Sequence, residues 1–407
     1  MSDRIPDPVA AERISRALAS LRGLAVGDAL GSQFFVPDNL PFLRRRELPP
    51  GRWQWTDDTE MAASLVAVLA RHGSADQNAL ATSFATHHDF DRDYGPAVHR
   101  MLRLVRQEGG DWRELASSLF EGQGSWGNGG AMRVAPLGAW FADDPDRAAD
   151  EAARSAEVTH RHPEAVAGTR AVAAAAALVA ADGHDRPATA VPAPATAAPA
   201  TSSALRPVHG EGPPASASRP VQGEGPSTSV LRPNLGDGPG LSAEGQVAGA
   251  GRAPAEGRAP DESTAHAGPP AVRGQRASGA SSTAPLIAET LLLEVLKRVP
   301  RSAVHAGLRR AIDLLDYSDV GTVAAVLGCG RRTSTQDTVP FTLWAAARHL
   351  GDFRAAVWTT AGAGGDVDTT CAIVGGIVAA GGPAAAPPEE WDARTEGFPP
   401  WLVENLE

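Results

Sequence analysis

From about residue 183 to residue 284 the chain is written in Ala, Pro, Gly, Ser and Thr, with almost no large apolar side chains. A segment of that kind cannot bury enough surface to offset its ordering entropy, so it is expected to be a disordered insertion. Within it LRPVHGEGP (205–213), SRPVQGEGP (218–226) and LRPNLGDGP (231–239) repeat, with Arg206, Arg219 and Arg232 spaced 13 residues apart. So short a repeat without an apolar ladder is duplicated low-complexity sequence and not a solenoid. Whatever folds must therefore be assembled from two blocks, 1–182 and 285–407. Loop-closure cost rises only logarithmically with length, which lets such an insertion sit between two helices.

Both blocks carry helical signals. Ile14, Leu18, Leu21 and Ala25 recur at helical spacing, as do Leu286, Thr290, Leu293 and Leu296. EMAASLVAVLARHG (60–73) reads as a helix with a glycine stop. DPDRAADEAARSAEVTH, HPEAVAGTRAVAAAAALVAA, VPFTLWAAARHL and TTCAIVGGIVAA read as further helices, and strand-like alternation is nearly absent. The expectation is an all-α domain formed by both blocks together.

The net charge of −11 and the lack of a basic stripe argue against direct nucleic-acid binding. The two cysteines, Cys329 and Cys371, are too few for a disulfide framework. The N-terminal stretch has no signal-peptide core, and apolar runs such as 171–181 fall short of the roughly 20 residues of a membrane span. A cytoplasmic protein, free of membrane and monomeric, is expected.

Four segments carry chemistry. In WQWTDDTEMA (53–62), Thr56, Asp57, Asp58 and Glu60 open an apolar helix. One reading makes Thr56 an N-cap with acids in the first turn; another lets the carboxylates and hydroxyl converge as ligands. GGDVDTTCAIVGG (364–376) repeats the arrangement, with Asp366, Asp368 and Thr369 at the mouth of a second apolar helix. Brought together, the two sets make an all-oxygen cage suited to two hard divalent cations, Mg²⁺ or Mn²⁺. GSWGNGGAMRVAPLG (124–138) offers Gly127, Asn128, Gly129 and Gly130 as a turn whose backbone N–H groups can face an anion, or as a plain glycine-rich turn. EVTHRHPEA (157–165) contains His160 and His162; without further His or Cys nearby they do not suggest zinc, and His160 is equally suited to a ligand contact or to the surface. Asp28, on the face of Ile14, Leu18, Leu21 and Ala25, needs partners of its own. HHDFDRDYG (87–95) is an acidic, aromatic loop that either borders a substrate or is solvated.

GLAVGDALG, WTDDTEMA, GNGGAMRVAPLG, THRHPEAVAG and GGDVDTTCAIVGG, in this order and together with DTVPFTLWAA (337–346), resemble the ADP-ribosylglycohydrolases, including the dinitrogenase-reductase-activating type. The resemblance spans both blocks and skips the insertion. It implies a compact helical fold, a binuclear Mg²⁺ or Mn²⁺ centre, and hydrolysis of the bond joining ADP-ribose to a protein side chain or other acceptor. By the same resemblance Thr56, Asp57, Asp58, Asp366, Asp368 and Thr369 are metal ligands. Gly127–Gly130 with Met132 hold the diphosphate, His160 contacts the nucleotide, and Asp57, Asp58 and Asp368 are the catalytic candidates. The family's run has Val367 at its second position here. Where many members carry a glutamate after the GDALG-type motif, this chain has Phe35. Two other readings stay open: a catalytically silent ADP-ribose-binding module, and a metal-dependent nucleotide phosphohydrolase.

Overall fold

A computed structural model describes residues 8–185 and 286–406; the expected insertion, with its repeats, lies almost wholly outside them. The described residues on both sides of it belong to one compact unit, built from helices with two isolated β-bridges, Trp53 to Thr395 and Gly127 to Ser334.

The centre of the unit is a pair of helices from opposite ends of the chain, Pro8–Ser32 and Val367–Ala379. They approach to backbone contact because small residues recur every third or fourth position where they touch: Ser20, Gly23, Gly27 and Gly31. A Cβ added at Gly27 would stand 2.2 Å from the carbonyl oxygen of Cys371, so nothing larger than glycine fits. The Ser20 hydroxyl donates to the Gly376 carbonyl at 2.8 Å on the same face. This proximity places Asp28, beside Gly27, at the mouth of the second helix.

The helix Pro163–Asp185 passes through the core, and Ala171–Ala177 are fully buried. Its stretch 163–183 is long and apolar enough to cross a membrane by length and composition, yet most of it is covered by the protein itself. An apolar surface all round a helix suits a core position equally well.

One expected face is different. In the helix Ala288–Leu296 the buried residues are Leu291, Leu292 and Val295, whereas Leu293 and Thr290 are exposed. The run Leu291-Leu292-Leu293 contains two overlapping apolar stripes, and packing against neighbouring helices selects one of them.

Candidate metal and nucleotide site

Asp28 is fully buried and organises the entry to the helix Asp57–His72. It accepts from the Thr56 N–H at 2.9 Å, the Thr59 N–H at 3.2 Å, the Thr56 hydroxyl at 2.9 Å and the Thr59 hydroxyl at 2.6 Å. Thr56 occupies the N-cap position, but its side chain makes no capping bond. The cap is supplied from another helix: Asp28 meets the orphan N–H of the first turn, and the Thr56 hydroxyl is turned toward carboxylates.

That hydroxyl also lies 3.0 Å from Oδ2 of Asp58. A single proton can serve only one of its two carboxylate neighbours. From the far end of the chain, the Thr369 hydroxyl approaches the same Asp58 oxygen at 3.4 Å. The two acidic segments therefore meet. Asp58 is 1% exposed, and its Oδ1 has no hydrogen-bond partner among the described residues. Asp366 and Asp368 are both buried, and the Asp368 carboxylate accepts from the Thr369 N–H at 2.8 Å. Asp57 is half-buried, and its N–H donates to the Arg92 carbonyl at 2.8 Å.

Electrostatics express the crowding. Burial first, and then the charges of Asp28, Asp368, Asp57 and Asp366, push the Asp58 carboxyl well above the usual range. Burial raises Asp28 to about 7, with the Thr59 hydroxyl opposing and Asp368 adding to the rise. Among the described residues no lysine or arginine forms a salt bridge with Asp28 or Asp58.

The donor set fits hard divalent cations: carboxylates and hydroxyls only, an orphan carboxylate oxygen, and excess negative charge at a buried point. As placed, no three His, Cys, Asp or Glu side chains among the described residues form a closed cage, and the acids are interleaved with threonine hydroxyls.

The glycine turn adjoins this centre. The Asn128 amide donates to Asp366 Oδ2 at 2.9 Å and to the Thr338 hydroxyl at 3.1 Å, joining the turn to the second acid segment. Of its backbone amides, Gly127 N–H reaches the Ser125 hydroxyl at 3.2 Å and Asn128 N–H reaches the Thr333 carbonyl at 3.0 Å. Those of Gly129 and Gly130 have no acceptor among the described residues. Of the four turn residues, only these two thus keep backbone amides available to an acceptor from outside. Met132 is buried beneath it, its N–H on the Asn128 carbonyl.

His160 is 4% exposed and packs on the turn; a Cβ on Gly129 would fall 2.5 Å from its Cε1. Burial, and then the Arg133 cation, hold this imidazole down to about 3, so it is neutral. His162 instead accepts the Glu164 N–H at 3.1 Å and sets its ring edge-on to Trp126. Trp126 and Phe120, both exposed, stand with ring centroids 4.8 Å apart at the rim.

The loop 87–95 borders the first acid segment. Glu60 is buried, accepts the Tyr94 hydroxyl at 2.7 Å and the Asp89 N–H at 3.0 Å, and is raised by burial. Arg92 stacks on Trp55 with its guanidinium carbon 3.6 Å from the ring centroid, and pairs with Glu396 at 2.8 Å. Phe35 ends the short 3-10 turn Gln33–Phe35 after the N-terminal helix, half-buried.

Sequence reading did not single out Arg133 or Thr159. The available signal was an arginine inside the apolar run AMRVAPLGAW, a position that demands buried partners.

An all-helical unit that brings acid–threonine segments from both ends of the chain to one buried point, beside a glycine turn, defines a class also recognised by comparison. The ADP-ribosylglycohydrolase family model matches residues 10–246 and 261–406, and the chain belongs to that family. It is similar to the ADP-ribosylhydrolase ARH3 of Gallus gallus, 35% identical over 166 residues, covering 36% of this chain and 45% of the relative. The ADP-ribosylhydrolase ARH3 of Homo sapiens is 34% identical over 169 residues, 37% of this chain and 46% of that protein. The ADP-ribosyl-[dinitrogen reductase] glycohydrolase of Rhodospirillum rubrum is 31% identical over 159 residues, 36% of this chain and 52% of that protein. The matched stretches span about half the length of these curated relatives.

Proposed function

We propose that the protein is a divalent-metal-dependent hydrolase that cleaves the glycosidic bond between ADP-ribose and a protein side chain or another acceptor. The meeting of Asp58 with Thr369, around a buried carboxylate oxygen that has no partner among the described residues, is the observation that carries this reading. The names of the relatives, all hydrolases of ADP-ribosyl groups, supply the substrate class.

Thr56, Asp57, Asp58, Asp366, Asp368 and Thr369 would hold two ions, Mg²⁺ or Mn²⁺. Such ions supply positive charge to ribose hydroxyls and lower the pKa of water at the site. The rest falls to the chain. The N–H groups of Gly129 and Gly130 face the diphosphate, which reconciles an acidic protein with an anionic ligand because the local field is set by amides. The exposed Trp126 ring, tilted 39° against Phe120, offers an aromatic face to a base. Asn128, bonded to Asp366, fixes the distance between diphosphate and acids. Cleavage of a ribosyl C–N or C–O bond passes through an oxocarbenium-like state, and Asp58 or Asp368 would accept the proton of the attacking water.

Incubation with Mg²⁺ or Mn²⁺ and arginine- or serine-linked ADP-ribose peptides tests this. Release of free ADP-ribose, abolished in Asp57→Ala and Asp368→Ala, is expected. Phe35, standing where many members carry an acid, favours one second reading, a module that binds ADP-ribose without turnover. Tight binding with no release would select it, and phosphate or nucleotide products would select a phosphohydrolase.

A further inference from the structure

Arg133 is fully buried and has no carboxylate in salt-bridge contact among the described residues. Burial lowers it to about 9, so it remains a cation at neutral pH. A buried, unpaired guanidinium is costly, and an apolar residue of similar volume would ordinarily serve the core better. Its contacts show what it organises. One terminal nitrogen donates to the Gly129 carbonyl at 3.1 Å and to the Thr159 hydroxyl at 3.0 Å; the other donates to the Ser155 carbonyl at 2.8 Å. The guanidinium carbon lies 4.6 Å from the Phe84 ring centroid.

The Thr159 hydroxyl oxygen is in turn 2.7 Å from Nδ1 of His160. Arginine only donates, so Thr159 is the acceptor of that first bond. Thr159 is fully buried, and His160 Nδ1 is the sole acceptor within reach of its proton among the described residues. Were Nδ1 protonated, the threonine would accept twice and its own O–H would be buried with nowhere to donate, which is costly. The arrangement that satisfies every group runs one way: Arg133 N–H to Thr159, Thr159 O–H to Nδ1. Nδ1 is then bare, and the ring proton of the neutral imidazole sits on Nε2. Nε2 has no hydrogen-bond partner among the described residues and lies against Gly127 and Gly129.

We propose that Arg133 and Thr159 are positioning residues that hold His160 as the Nε2–H tautomer, so that the ring donates one hydrogen bond to an anionic oxygen of the ligand seated over Gly129. Only the identity of that ligand rests on the ADP-ribosyl reading. The relay itself is a property of the free protein.

The test is a long-range ¹H–¹⁵N correlation spectrum of ¹⁵N-histidine-labelled full chain near pH 7, with and without ADP-ribose. His160 is expected to show a protonated Nε2 and a bare Nδ1. Thr159→Val should give a mixture of tautomers and weaken ADP-ribose binding roughly tenfold by calorimetry, and Thr159→Ser should restore both. Arg133→Met should give the same mixture; if it fails to fold, the wild-type spectrum and the Thr159 pair decide the matter. A wild-type ring protonated on Nδ1, or a Thr159→Val spectrum unchanged from wild type, overturns the relay. Binding of ADP-ribose that leaves the Nε2 resonance in place overturns the donor role. Failure of the functional reading looks different: no ADP-ribose binds, which overturns the donor role as well, while the ligand-free tautomer still upholds the relay.

Discussion

The Thr369 hydroxyl lies 3.4 Å from Oδ2 of Asp58, across 311 positions of sequence. Each residue belongs to a first helical turn that, taken alone, is an ordinary acidic helix start. Together they crowd like charges at a buried point, and the raised Asp58 carboxyl registers that crowding. The proposed cation cage at the junction of the two segments would account for both the convergence and the crowding.

Relieving this crowding is expected to stabilise the protein when no divalent ion is added. Asp58→Asn is expected to raise stability in the presence of EDTA, because it removes a buried carboxyl that burial and the neighbouring acids push well above the usual range. In wild type, Mn²⁺ at about a hundredfold excess over Kd should add about 2.7 kcal/mol, a gain that Asp58→Asn should lose. Denaturant titrations with EDTA and with Mn²⁺ measure both.

The close helix pair is required for the acids to meet. Alanine at Gly27 would gain about 1 kcal/mol of helix propensity, but its methyl would press on the Cys371 carbonyl at 2.2 Å, backbone that cannot swing aside. Overpacking of this kind costs about 2–3 kcal/mol, so Gly27→Ala is expected to be destabilising on balance. Urea unfolding of the variant against wild type decides the sign.

Asp28 is placed to cap a helix that is not its own. Asp28→Ala removes the acceptor for the Thr56 and Thr59 N–H groups and for both hydroxyls. Leaving such groups unmet in a buried setting costs about 3 kcal/mol. Thermal melts should show that loss, with faster amide exchange at Thr56 and Thr59.

His160 makes stability depend on pH in a defined direction. Its folded pKa, about 3, lies below the ordinary 6.5, so the unfolded chain takes up the proton first. Its contribution is complete above pH 6.5 and is lost as pH falls from there toward about 3. His160→Gln should flatten the acid limb by up to about 1.4 kcal/mol per pH unit. Parallel unfolding titrations at pH 7, 6 and 5, pH values chosen to fall on and above that limb, compare the two proteins.

The helical class and the acid segments were legible because helical periodicity and the Thr-Asp-Asp and Asp-Val-Asp-Thr runs are local signals. What joins them was not. The Gly23, Gly27, Gly31 spacing hints at a close helix contact, but it does not say that the partner lies more than 300 positions away at Val367–Ala379. Thr56 reads as an N-cap on local grounds, and only the fold shows the cap arriving from Asp28. The glycine turn was legible as a cluster, yet which amides stay available depends on Ser125 and Thr333, partners set by tertiary packing. Leu291 to Leu293 presented two stripes, and burial against other helices chose between them.

Mn²⁺ binding, followed by calorimetry and electron paramagnetic resonance on wild type, Asp58→Asn and Asp368→Asn, addresses the centre itself. Wild type should take up two ions with a spin-coupled signal, and removing a charge from either segment should weaken binding at both ions. Two segments that titrate independently, or a wild-type chain that takes up no Mn²⁺, would contradict a shared cage.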